Sequence, residues 1–232
     1  MKHKTLRIRR VVVTLVSLLV LAVTIVANQD SWQPQVNQEP SEVNARGSAA
    51  DLLATLTVKG RAPKTGYERT QFGNGWATTN GCDTREIILH RDMENSIVGD
   101  GCKILSGTLH DPYTGKTLAF KRGADTSAAV QIDHVVALSN AWQTGAGQLS
   151  KERRVALAND PLELLAVDGP ANQAKGDGDA ATWLPSNKAF RCQYVARQIA
   201  VKAKYSLWVT QAERDAIHKI LSACPGQPLP TA

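Results

Sequence analysis

An aspartate and a histidine stand side by side in Gln131-Ile132-Asp133-His134-Val135-Val136-Ala137-Leu138, and an amide follows in Ala171-Asn172-Gln173-Ala174-Lys175-Gly176-Asp177. A carboxylate and an amide oxygen are hard donors suited to a hydrated Mg²⁺ ion. A neutral imidazole beside them can take a proton from an attacking water, an effect worth about 10²–10⁴-fold. With a phosphate between them, these groups suffice for phosphodiester hydrolysis. Other common catalytic signatures are missing: the chain has no G-x-S-x-G elbow, no G-x-x-x-x-G-K-[ST] loop and no H-E-x-x-H pair. His90, His110 and His218 are isolated and read as packed or surface residues, and His3 lies in the N-terminal flank.

The elements that must position this set can be read from the pattern. The Asp133-His134 run is β-rich, and neighbours on a strand point to opposite faces, so both side chains address one site only at a strand end or bulge. Residues 162–167 form a short apolar strand, and Asp168-Gly169-Pro170 starts a helix that carries Asn172 and Lys175. Upstream, residues 103–110 and 116–120 flank Asp111-Pro112-Tyr113-Thr114-Gly115, a hairpin signal. Ser48 is placed to cap a short helix over 51–56, residues 86–93 are ambiguous between helix and strand, and 60–80 is irregular with Tyr67, Phe72 and Trp76 available to pack. The C-terminal third is helical. One helix over 187–204 shows Phe190, Tyr194 and Val201 on a face, and Thr210 with Glu213 forms a capping box for a last helix. One mixed α+β domain over 48–229 is the economical reading.

Net charge says little about partners. The formal charge is +6, but Lys2, Lys4, Arg7, Arg9 and Arg10 supply five of the positive groups; with those set aside, 22 basic residues face 21 acidic ones. Bulk charge therefore does not argue for nucleic acid, and any such reading rests on local patches. The five cations form a basic flank over 1–10, followed by an apolar segment over 11–27 and a polar, linker-like stretch over 28–47. The apolar segment reads as a single-pass membrane anchor with the rest of the chain outside the cytoplasm, or alternatively as a cleaved secretory signal. Cys82, Cys102, Cys192 and Cys224 all follow it and include no C-x-x-C pair, which suits an exported, disulfide-bonded protein. Three pairings are possible. Cys82–Cys102 and Cys192–Cys224 are preferred because each closes a local unit.

Asp133-His134-Val135-Val136, then Leu164 and Val167, then Asn172-x-x-Lys175 resembles the HNH, or ββα-metal, endonuclease superfamily. The HNH domain of RNA-guided CRISPR nucleases shows a similar Asp-His … Asn-x-x-Lys-x-Asp order. The resemblance extends further, over about 66–224, to the branch related to the C-terminal domain of GmrSD restriction endonucleases. There it includes Cys82-Asp83-Thr84-Arg85, Asp111-Pro112-Tyr113-Thr114-Gly115, Asn159-Asp160-Pro161 and Trp183-Leu184-Pro185. It implies a ββα-metal core followed by a C-terminal helical hairpin, with His134 as general base and Asp133 and Asn172 as ligands of Mg²⁺, Mn²⁺ or another divalent ion. The implied substrate is DNA, or RNA, and no protein partner is implied.

One position departs from the family pattern. The middle family Asn, which pins the loop carrying the base, falls on Glu163, and an ionised carboxylate accepts but does not donate. Asn159 could take over that role, or Glu163 could accept from the loop backbone. Lys175, about one helical turn beyond Asn172, and Arg85, beside Cys82, are the expected phosphate contacts. Lys188, Arg191, Arg197, Lys202 and Lys204, in a tract without acids, could follow a nucleic-acid backbone or form a solvated face. The competing functional reading is a non-catalytic cell-envelope binding module that keeps the fold; Glu163 and the near-neutral charge favour it, and the intact Asp133, His134 and Asn172 oppose it.

Overall fold

The computed structural model describes residues 47–124 and 126–230. The basic flank and the apolar segment expected at the N-terminus, and nearly all of the linker, lie outside the described residues. Among the described residues no helix is long and apolar enough to cross a membrane. The described residues have an α+β architecture of seven α-helices and three small antiparallel sheets, in the order α1 (Ala49–Thr55), β1 (Thr78–Thr79), β2 (Cys82–Asp83), α2 (Thr84–Asp92), β3 (Met93–Val98), β4 (Ile104–His110), β5 (Thr117–Lys121), β6 (Val130–His134), α3 (Leu138–Gln143), α4 (Lys151–Ala158), β7 (Leu164–Asp168), α5 (Gly169–Lys175), α6 (Arg191–Lys204) and α7 (Gln211–Leu221).

Local chemistry accounts for many boundaries. Ser48 caps α1 and Thr210 caps α7, each completing a capping box with the acid three residues on, Asp51 and Glu213. The ambiguous stretch around 86–93 is helix α2, because the Asp83 side chain accepts the Glu86 amide and caps its first turn. The hairpin β4–β5 forms around the Asp111 turn as its sequence predicts, with Leu109 opposite Leu118. β3 was not foreseen: its outward residues do not alternate cleanly, and its pairing with β4 shifts register twice.

The pair β6–β7 lies at the centre and is buried on both faces, which explains its nearly unbroken apolar run. Ile132 opposite Ala166 and Val130 face one cluster with Ile88, Leu89, Ile104 and Phe120. Leu165 and Val167 face the other, with Tyr113, Tyr194, Val195 and Ile199. α5 follows β7 directly. Asp168 caps it by accepting the Ala171 amide at 2.8 Å, and the Asp168 amide is itself held by Asp111 at 2.9 Å. Gly169 opens this helix where any Cβ would lie 2.2 Å from the Ala128 carbonyl, so α5 packs close to residues 127–129.

The disulfides are Cys82–Cys102 and Cys192–Cys224, the pairing preferred from the sequence. Each closes a loop of a few tens of residues, for which the chain-entropy estimate is about 3 kcal/mol of stabilisation. The C-terminal helices are joined in the interior by Lys202, whose ammonium donates to the Glu213 carboxylate at 2.8 Å and to the Trp208 carbonyl at 3.0 Å.

Candidate active site

His134 is the last residue of β6, and strand alternation sends it away from Asp133. Its imidazole stacks on the Trp76 indole, with ring centroids 5.5 Å apart and planes within 9°. Nε2 lies 3.0 Å from the Ala158 carbonyl at the end of α4. A carbonyl oxygen only accepts, so Nε2 carries the proton and Nδ1 carries the lone pair. Burial depresses the imidazole pKa to about 3, with the positive charge of Arg69 acting in the same direction against the Ala158 hydrogen bond. The ring is therefore neutral throughout the physiological range. It lines a cavity of about 180 Å³ together with Arg69, Phe72, Gly73, Gly75, Trp76, Leu138 and Ala158.

Asp133 points the opposite way, into the interface of β6–β7 with α5 and α6. Its Oδ1 accepts from Lys175 Nζ at 2.9 Å, and its Oδ2 accepts from the Tyr113 hydroxyl. Lys175 Nζ also donates to the His134 carbonyl at 2.7 Å. Burial raises the Asp133 pKa, opposed by the ammonium and the phenol. Asn172, half-buried on α5, gives its amide nitrogen to Gln131 Oε1 at 2.9 Å. Gln131 and Asp133 share a strand face, so α5 brings Asn172 and Lys175 to the same side of β6 and His134 is left on the other.

Glu163 is fully buried where β7 is entered. Its Oε2 accepts the Val136 amide at 3.1 Å and its backbone carbonyl accepts the Val135 amide at 2.9 Å, so this residue holds the turn that leaves His134. Burial pushes its pKa well above the carboxylate range. Its Oε1 has no hydrogen-bond partner, an arrangement that suits a neutral acid better than a carboxylate. Asn159 does different work: its Oδ1 accepts the Ala77 amide at 2.8 Å and so anchors the segment bearing Trp76.

The expected phosphate contacts lie elsewhere. Lys175 does not reach solvent, being fully enclosed against Asp133. Arg85 pairs with Glu86 at 3.3 Å, beside the stronger Arg122–Glu86 pair, and does not line the His134 cavity. The basic tract is not a free face either. Lys202 is buried against Glu213, Lys204 pairs with Asp160, and Arg191 and Arg197 donate to the carbonyls of Pro185 and Leu162. Arg69 and Trp76 were missed as site residues, because they lie far from His134 in sequence in a stretch read only as irregular. The Gly73-Asn74-Gly75-Trp76 turn was the available signal.

Residues 87–220 match the family described as GmrSD restriction endonucleases, C-terminal domain. The chain belongs to that family. The matched segment includes Asp133, His134, Glu163, Asn172 and Lys175, while Arg69, Trp76 and Arg85 precede it. A relative in Arthroderma benhamiae, named an uncharacterized secreted protein, is 38% identical over 206 residues, covering 88% of this chain and 95% of the relative. No solved structure matches.

HNH-type families usually employ a divalent metal, so the donor set is a test of the arrangement. Asp133 has one oxygen on an ammonium and the other on a phenol, and no group of three or more His, Cys, Asp or Glu side chains is placed to hold a metal ion among the described residues. As arranged, these residues do not fit a divalent ion: Lys175 supplies the cation at Asp133.

Proposed function

We propose that this protein is an exported nuclease that hydrolyses phosphodiester bonds of DNA or RNA, with His134 as general base. The observation that carries this reading is the Nε2 hydrogen bond to Ala158, which sets the lone pair on Nδ1 of a neutral imidazole lining a cavity. The antiparallel pairing of β6 with β7, joined through α3 and α4 and followed directly by α5, supports the ββα reading, and the nuclease family supports the substrate class. Export rests on the basic and apolar N-terminal segments, on the disulfides, and on the printed description of the relative as secreted.

In the step so assigned, a water oxygen bonds to phosphorus as its proton passes to His134 Nδ1. The phosphorus bond to the leaving oxygen breaks, and that oxygen takes a proton from solvent. Burial leaves the free imidazole a weak base, and the negative charge of a bound phosphodiester would raise its pKa. Glu163 and Trp76 hold the ring, one through the following turn and one through the stack.

The test is cleavage of plasmid DNA and of RNA by the full chain, with Mg²⁺, Mn²⁺ or EDTA, beside His134→Ala. Loss of about 10²-fold or more in the variant is expected. Equal cleavage by both proteins would reject His134 as the base. Binding without cleavage by either would favour the non-catalytic envelope module.

A further inference from the structure

The segment from Arg69 to Trp76 forms an arch over His134, and it is pinned at several points. Phe72 is buried in edge contact with Tyr67 and Trp142. Arg154 on α4 donates to both the carbonyl and the side-chain oxygen of Gln71, each at 3.0 Å. Asn159 takes the Ala77 amide at 2.8 Å, and the Ala77 carbonyl accepts from Thr84 through its amide at 2.9 Å and its hydroxyl at 3.0 Å. Between the pins, Gly73 and Gly75 adopt φ of +113° and +126°, conformations closed to most side chains, and both line the cavity. A backbone bare of Cβ atoms lets a ligand approach closely.

Arg69 stands at the edge of this cavity and is exposed. Among the described arginines, Arg61, Arg85, Arg91 and Arg122 pair with carboxylates, and Arg153, Arg154, Arg191 and Arg197 donate to backbone carbonyls. The guanidinium groups of Arg69 and Arg214 donate to no described group. Arg214 lies on α7, while Arg69 lines the same cavity as the buried imidazole, near enough for its charge to act on that ring.

We propose that the arch is the phosphate-binding wall of the site and that Arg69 grips the phosphodiester held against His134. This deepens the nuclease reading and rests on it. A guanidinium presents paired donors to two phosphate oxygens and neutralises the charge that grows on them as water adds. The pinned backbone holds that charge in place before substrate arrives, so little rearrangement is needed on binding. Trp76, stacked on the ring, is the positioning residue of the arch.

The full chain is compared with Arg69→Ala, Arg69→Lys and, as an equal change of charge elsewhere, Arg214→Ala. Cleavage of a fluorescent DNA duplex should fall about 10²-fold in kcat/KM for Arg69→Ala, less for Arg69→Lys, and stay within about twofold for Arg214→Ala. Equal losses in Arg69→Ala and Arg214→Ala would overturn the proposal. A second measurement separates its failure from failure of the nuclease reading. Thymidylyl-thymidine, a single phosphodiester, is titrated while the His134 ring resonances are followed by NMR. A saturable shift in the parent chain that disappears in Arg69→Ala supports the wall even in a protein that cleaves nothing. No shift, or one that survives in Arg69→Ala, rejects it even if His134→Ala abolishes cleavage.

Discussion

Lys175 Nζ lies 2.9 Å from Asp133 Oδ1 and is completely enclosed, reaching back from the end of α5 to the strand that carries His134. The ammonium covers one side of the carboxylate and the Tyr113 hydroxyl the other, so a divalent ion can reach Asp133 only by displacing one of them. Lys175→Met keeps most of the stem and removes the charge. Calorimetric titration should then show Mn²⁺ binding tightened by at least about tenfold, because a competing cation is gone. The thermal midpoint should fall, since breaking a buried pair typically costs about 3–5 kcal/mol. Unchanged Mn²⁺ affinity in a folded Lys175→Met protein would show that Lys175 does not guard Asp133.

The depressed pKa of His134 makes a prediction about acid stability. Its folded value of about 3 lies below the usual 6.5. Below pH 6.5 the unfolded chain takes up a proton that the folded chain refuses. The stability associated with a neutral ring is thus complete above 6.5 and is lost as pH falls towards 3, by at most about 1.4 kcal/mol per unit. His134→Asn removes this group while other carboxylates titrate in both proteins. Between pH 7 and pH 4 the urea midpoint of the parent should therefore fall further than that of the variant. Parallel losses would mean that the imidazole is charged in the fold. The acid limb of kcat/KM should likewise fall well below pH 6.5.

Glu163 shifts in the opposite direction, with the opposite sign. Burial raises its folded pKa, so the folded chain retains a proton that the unfolded chain releases above pH 4.5. The associated stability is present below 4.5 and is lost as pH rises through the raised value. Glu163→Gln keeps an acceptor for the Val136 amide and cannot ionise. Its thermal midpoint relative to the parent should rise between pH 5 and pH 8.5. A constant deficit across that range would show an ionised Glu163.

Much of the local structure was legible because it is decided within a few residues. Both capping boxes, the Asp111 turn and the helix start at Asp168 use side chains that bond their own neighbourhood, and so does the alternation that separates Asp133 from His134. Glu163 was recognisable as a departure, and its hold on the turn after His134 was one of two roles its chemistry allowed.

The remainder depended on side chains that meet across the chain. The basic tract looked like a solvated or nucleic-acid-facing stripe until Asp160, Glu213 and the carbonyls of Pro185 and Leu162 took four of its five cations, Lys188 staying exposed. Lys175 has the spacing of a phosphate contact, yet burial against Asp133 and Tyr113 turns it inward. Arg69 lines the same cavity as His134 only because Arg154 on α4 and Asn159 at its C-terminal cap bind the arch. Residue type and spacing determine which atoms can donate, accept or ionise, since those are properties of single side chains. Which of them are spent on one another and which stay open to a ligand is decided when packing excludes water, because only then must each buried group find a partner.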